Sequence, residues 1–308
     1  MFSKQNRCIF VLGLTFAGMM YIEWMHTNKW NPAAILSLPL VFMNTVTRLA
    51  PYVCYYIWTW PAVDIVHISS FDNALLRPHQ PVKRVAIMMF HGLTTHPSDW
   101  FQVHKDLASV KGKYVFHAYT PSLYAMGNAP LNEVMEHVKE DIARFLQASS
   151  DMPVCVLGSS NGARVALMTR LMHNDRPMFV GLAAGPLHGS LSVDFVRGVA
   201  PHALSFFHPV LLDELGYKSM FARTLMDQIE AADRNMNTQY SCYASSLDHV
   251  VIPYTSSFLN NVHNVTNKLY DDIGHMAFPF HTAEDLVNDC VNWADNLLIE
   301  DLKKNKQI

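Results

Sequence analysis

From residue 64 onward, short apolar runs alternate with amphipathic stretches. The run at 85–90, VAIMMF, is continuous in apolar character and stops at Gly92, the pattern of a strand buried on both faces. A helix is predicted over 97–110, where Trp100, Val103, Leu107 and Val110 recur at helical spacing. YVFHAY at 114–119 reads as the next strand. A helix over 131–147 follows, with Leu131, Val134, Val138, Ile142 and Phe145 on one stripe. PVCVLG at 153–158 is another buried strand, and a helix begins abruptly at Asn161. MFVGLAAG at 178–185 and TQYSCYAS at 238–245 add two further strands. Thr282 with Asp285 forms the pattern of a capping box, opening a last helix with Leu286, Cys290, Trp293 and Leu297 inward. Strands alternating with helices in this way predict βαβ units and a mostly parallel sheet, an α/β fold. Residues 190–237 break the alternation. They carry helical patterns (Leu211, Leu215, Phe221, Leu225) without a strand, and read as a helical cap inserted over the sheet.

The first sixty-odd residues have a different character. Residues 8–22 are apolar without interruption, preceded by Lys4 and Arg7, closed by Glu23 and followed by Trp24 and Trp30. The run is short against the roughly 20 residues of a spanning helix. Trp24 and Met25 lengthen it if Glu23 snorkels. An uncleaved membrane anchor is the leading reading. A cleaved signal segment, for which no small-residue cleavage site follows, and a buried helix are the alternatives. A second apolar stretch, 33–63, is interrupted by Pro39, Arg48 and Pro51 and carries Tyr52, Tyr55, Tyr56, Trp58 and Trp60, aromatic residues suited to a headgroup boundary. It reads as an interfacial or re-entrant segment, as a second span, or as an arm packed on the following domain. Residues 1–63 are thus expected to form a membrane-associated segment and 64–308 the α/β domain. Lys4 and Arg7 favour a cytoplasmic N-terminus; one span then puts the domain outside and two keep it inside.

Composition sharpens this division. Of the 308 residues, 50% are hydrophobic and 16% charged, against a usual charged share of about 25%. Some apolar surface is therefore expected to face lipid or a partner. A net charge of −3 without blocks of like charge gives a nucleic-acid role no electrostatic support. Cys8, Cys54, Cys155, Cys242 and Cys290 are scattered, without CxxC spacing, and no HExxH occurs. No disulfide framework and no metal site are read. Cys155 and Cys242 lie in apolar runs as small core residues.

Four short segments carry chemistry. Gly158-Ser159-Ser160-Asn161-Gly162 matches G-x-S-x-G at a strand-to-helix junction, the context of a nucleophile elbow, with Ser160 as nucleophile and Ser159 flanking it. His91-Gly92-Leu93 follows the first of the buried strands. There the N–H of Leu93, together with that of Asn161, is placed to meet a developing oxyanion. The His91 ring itself is expected to bond the backbone. Asp248, just after the strand at 238–245, is the expected acid; Asp233, Asp271 and Asp272 are its rivals. His275, before the last helix, is the expected general base, with His281 and His263 behind it. The chain order Ser160, Asp248, His275 is that of α/β-hydrolases, in which the acid holds the histidine in one tautomer and stabilises its cation.

Together these segments resemble the α/β-hydrolase superfamily over about residues 80–300. Gly185-Pro186-Leu187-His188-Gly189-Ser190 is similar to a segment found in triacylglycerol lipases and lipase-like carboxylesterases, and HGLTTHPSDW resembles the opening of their domain. Two positions depart from the usual pattern: Ala163, where a glycine is common, and Leu187-His188, where histidine usually follows the proline directly. The resemblance implies a serine hydrolase acting on carboxylic esters of lipid or other apolar acyl groups, without a cofactor. The alternatives are an acyltransferase using the same three residues and a membrane-bound interaction protein of the same fold.

Overall fold

The computed structural model describes residues 63–71, 82–199, 204–205, 207–233 and 238–305. The segments at 8–25 and 33–63 read as membrane-associated lie, apart from Val63, outside the described residues. Among the described residues no helix is long and apolar enough to cross a membrane.

Among the described residues the core is a single sheet of seven strands: β1 (Val63–Phe71), β2 (Lys83–Phe90), β3 (Lys113–Thr120), β4 (Val154–Ser159), β5 (Phe179–Ala183), β6 (Gln239–Ser245) and β7 (Val265–Tyr270). Their order across the sheet is β1-β3-β2-β4-β5-β6-β7. β1 runs antiparallel to β3, and every other neighbouring pair is parallel. The central strands were expected from their apolar runs, and β2, β4 and β5 are buried on both faces. Parallel strands need crossovers, and these supply α1 (Phe101–Ser109), α2 (Leu131–Ala148), α3 (Asn161–Met172), α4 (Leu191–Val199), α5 (Pro209–Leu215) and α6 (Met220–Asp233), while α7 (Ala283–Asn305) follows β7.

Period-two alternation sorts the strand side chains onto two faces. Met88, Phe90, Val156, Val180 and Cys242 pack beneath α2, α3 and α6, meeting Val138, Ile142, Val165, Leu225 and Ile229. Val85, Ile87, Met89, Leu157, Phe179 and Tyr243 face the other way, onto α1 and α7, meeting Val103, Leu107, Leu286, Cys290 and Trp293. Cys155, Cys242 and Cys290 are buried and free.

Three expectations change. The helix read over 97–110 is a short 3-10 turn, Pro97–Trp100, followed by α1. The stretch read as an insertion over 190–237 contains α6, which carries Leu225, Met226 and Ile229 into the core and is the crossover between the parallel strands β5 and β6. Within the stretch, α4 and α5 contribute no residue to either apolar cluster of the sheet. Lastly, the Thr282 hydroxyl donates back to the Phe278 carbonyl, and the Asp285 carboxylate accepts from the Tyr270 hydroxyl, so both side chains have partners outside the expected capping pair.

Candidate active site

The C-terminal ends of β2, β4, β5, β6 and β7 converge on one edge of the sheet, the place where open α/β sheets bind ligands. These five parallel strands each deliver one loop there: His91-Gly92-Leu93 after β2, Ser160 after β4, Gly185 onward after β5, Asp248 after β6 and His275 after β7.

Ser160 sits between β4 and α3 at φ 52°, ψ −125°, a left-handed conformation for a residue with a side chain. The start of α3 lies so close to the ends of β4 and β2 that two positions admit nothing beyond hydrogen. A Cβ on Gly158 would lie 2.3 Å from the Gly162 carbonyl oxygen. One on Gly162 would lie 2.2 Å from the Phe90 oxygen and 2.4 Å from that of His91. Because these are backbone atoms, no side-chain rotation relieves the clash. Gly162→Ala should therefore cost more than about 3 kcal/mol. A urea midpoint within experimental error of the parent's would contradict the tightness of this turn.

Ser160, His275 and Asp248 come together in one chain of hydrogen bonds. His275 Nε2 lies 2.9 Å from Ser160 Oγ, and His275 Nδ1 lies 2.8 Å from Asp248 Oδ2. Asp248 Oδ1 accepts from the N–H groups of Val250 and Val251 at 2.8 and 2.9 Å, so both carboxylate oxygens are occupied. Asp248 and His275 are each 6% exposed. Burial alone would raise the Asp248 carboxyl. The His275 ring and the bonds from His275, Val251 and Val250 outweigh it and hold the pKa below the ordinary value. The carboxylate is therefore ionised at neutral pH. With Asp248 as acceptor, Nδ1 carries the proton and Nε2 presents a lone pair to the Ser160 hydroxyl.

The rivals lie elsewhere. Asp233 ends α6, before β6, and accepts from the His263 N–H at 2.8 Å. Asp271 and Asp272 directly follow β7. His281 closes the one-turn helix Phe278–His281. Ser159 is the last residue of β4 and is buried.

Gly92 approaches Ser160 closely: a Cβ placed on it would be 3.1 Å from Ser160 Cβ. Leu93 follows in that same loop. Asn161 is the first residue of α3, where a backbone N–H has no intrahelical acceptor. The His91 ring is buried between backbone groups, donating from Nδ1 to the Gly92 carbonyl at 3.0 Å and accepting at Nε2 from the Leu123 N–H at 3.1 Å. Burial lowers its pKa to about 4, which keeps it neutral and fixes the loop.

The segment at 185–190, noted in the sequence for its resemblance, has a positioning role that the sequence does not state. Ser190, at the end of the segment beginning at Gly185, donates to the Val250 carbonyl at 2.6 Å and accepts from the Ile252 N–H at 3.0 Å. The Leu191 N–H donates to the Ile252 carbonyl at 2.7 Å. The start of α4 is thus tied to the loop that bears Asp248. The small-residue pair Gly189-Ser190 was its sequence signal.

No family model matches the chain, and no curated protein sequence matches it. Solved structures do. One of two metagenome-derived lipolytic enzymes superposes at a TM-score of 0.50 with 11% identity, covering 75% of this chain and 97% of that one. A peroxisomal α/β-hydrolase of Saccharomyces cerevisiae gives 0.49 with 11% identity over 76% and 86% of the two chains. A monoacylglycerol lipase of Paleococcus ferrophilus gives 0.47 with 13% identity over 75% and 100%. The structural neighbours are α/β-hydrolases, lipases and esterases among them, at low sequence identity; the sheet order and the superposition on the lipolytic enzyme identify the fold of this chain as that of the α/β-hydrolases.

Proposed function

We propose that this protein is a serine hydrolase that cleaves carboxylic esters of lipid or other apolar acyl groups. The observation that carries the reading is the unbroken chain Ser160–His275–Asp248, with contacts of 2.9 and 2.8 Å, built on a serine in a left-handed elbow. Ser160 Oγ attacks the ester carbonyl while His275 Nε2 takes its proton. Asp248 holds the ring in the tautomer that leaves Nε2 free to accept and stabilises the imidazolium. The carbonyl oxygen becomes an oxyanion facing the N–H groups of Leu93 and Asn161. His275 then protonates the departing alcohol, leaving an acyl-Ser160. Water, deprotonated by His275, attacks this ester; its collapse frees the carboxylic acid and returns the proton to Ser160.

Apolar side chains beside these residues support an apolar acyl group. Leu247, Ile252 and Met276 are 47%, 39% and 50% exposed, and each lies within four residues of Asp248 or His275. The metagenome-derived neighbour is a lipolytic enzyme, in keeping with this substrate class. The reading is tested with p-nitrophenyl esters of graded chain length. Hydrolysis that is lost in Ser160→Ala, with kcat/KM rising over several added methylenes, is expected. Burial is worth about 0.8 kcal/mol per methylene, or close to fourfold each. No hydrolysis of any ester by the parent would overturn it.

The apolar stretches at 8–25 and 33–63 extend the proposal to the membrane surface, where such esters reside. The full chain is expected to sediment with membranes and to resist carbonate extraction. A chain beginning at Pro61 is expected to be more soluble and to hydrolyse short soluble esters, but to lose its preference for vesicle-borne substrate. A full chain soluble without detergent, together with unfolding of the shortened one, would instead make the extension part of the catalytic core.

A further inference from the structure

The loop joining β3 to α2 lies between the two segments that bear the proposed oxyanion donors. Its residues Ala125, Met126 and Gly127 are all left-handed, with φ of 48°, 57° and 74°. The Met126 carbonyl accepts from the Thr94 N–H at 2.8 Å, next to Leu93. The Gly127 carbonyl accepts from Asn161 Nδ2 at 3.2 Å. The loop therefore bridges one donor segment to the other.

Behind this bridge is a buried ion pair. Arg164, on α3, is 1% exposed, and Glu214, on α5, is 6% exposed. Arg164 Nη2 donates to Glu214 Oε2 at 2.9 Å, and Nη1 donates to Asn161 Oδ1 at 3.1 Å. The Glu214 oxygens accept from the Leu131 N–H at 3.3 and 3.1 Å, anchoring the residue at which α2 takes over from the bridging loop. The guanidinium also lies over the Phe221 ring, 4.9 Å from its centroid. Burying two charges is costly, and such a pair is weak as a source of stability. Its geometry is specific, because one planar fork grips the Asn161 amide and the α5 carboxylate together.

We propose that Arg164 and Glu214 are positioning residues for the oxyanion donors. They fix the Asn161 amide and the start of α2, and through Gly127 and Met126 they hold the Leu93 segment at a set distance from the N-terminus of α3. The pair makes no contact with substrate; it sets the separation of the two N–H groups. This inference rests on the Ser160 reading given above.

The full chain is assayed as parent, Arg164→Lys, Glu214→Gln and the double variant Arg164→Met/Glu214→Leu. Replacing both charges by apolar groups is often neutral for folding, so the double variant separates positioning from stability. Two quantities are compared: kcat and KM for p-nitrophenyl butyrate, and Ki for an alkyl trifluoromethyl ketone. The ketone accepts Ser160 Oγ and carries the resulting oxyanion. Removing a whole oxyanion donor costs about 100- to 1000-fold in kcat, so displacing both slightly should cost roughly 10- to 100-fold. KM should stay within about threefold, because the loss falls on the transition state. The ketone Ki should weaken by the same factor as kcat/KM. A folded double variant with the parent's kcat and Ki would overturn the proposal. Should the double variant not fold, Glu214→Gln decides it by the same two measurements. A parent without esterase activity would overturn the Ser160 reading itself, which is a distinct result from an active parent matched by its variants.

Discussion

Replacing Ser160 by alanine should remove nearly all ester hydrolysis while leaving the fold intact. The expected loss in kcat is about a millionfold, near 8 kcal/mol of transition-state stabilisation. Alanine retains the Cβ and meets the same backbone strain at φ 52° as serine does. The one hydrogen bond removed is that to His275 Nε2, and the bond from His275 Nδ1 to Asp248 remains. The melting temperature should therefore move little. A residual rate above that of water is still expected, because the N–H groups of Leu93 and Asn161 are backbone atoms that survive the substitution. Ser159→Ala is the matched control. Ser159 ends β4, buried and one position before the elbow, and its loss should change kcat by less than about tenfold.

The second large effect is at Asp248. Asparagine has the same shape, and its oxygen is able to keep the bonds from the Val250 and Val251 N–H groups that anchor the loop. Its amide then faces His275 Nδ1, where the carboxylate now accepts at 2.8 Å. A donor at that point favours the tautomer with the proton on Nε2, which is unable to take the Ser160 proton. The expected cost is about ten-thousandfold in kcat, near 5 kcal/mol. The carboxyl is held below its ordinary range, so the substitution also removes a negative charge that would steady the imidazolium at neutral pH. Asp233→Asn should leave kcat close to the parent value, since Asp233 precedes β6 and pairs with the His263 N–H. A large loss at Asp233 with none at Asp248 would mean that the acid is misassigned.

The parts of the fold legible in the sequence are those whose burial is complete. β2, β4 and β5 are covered by helices on both faces and so read as continuous apolar runs. β1 and β7, the two edges of the sheet, are not legible in this way. β7 exposes Thr266, Asn267 and Leu269 and has no continuous apolar run. Edge strands are held by a single neighbour and need no such signature. The helical period of α6 was visible, but period alone does not say whether a helix crosses over a sheet or stands apart from it. The requirement that β5 and β6 be parallel supplies that answer.

At the site, Ser160, Asp248 and His275 were legible because each stands at the end of a recognisable strand or the start of a helix, in an order that limits the choices. The Arg164–Glu214 pair was not, since its members are 50 positions apart and neither belongs to a motif. The one local hint was a pair of arginines, Arg164 and Arg170, inside a helix that is apolar on nearly every side. Charges in such a helix must find buried partners. The sequence does not say that the partner of Arg164 is a glutamate on α5.

The central claim is that Ser160 is a nucleophile activated by His275. Its most direct test is labelling of the full chain with a fluorophosphonate, followed by mass spectrometry of the digested adduct. The expected result is one phosphonyl group per chain, located on Ser160, absent from Ser160→Ala and retained in Ser159→Ala. Stoichiometric labelling of Ser160→Ala at the parent's rate, or an adduct located on another residue of the parent, would contradict it.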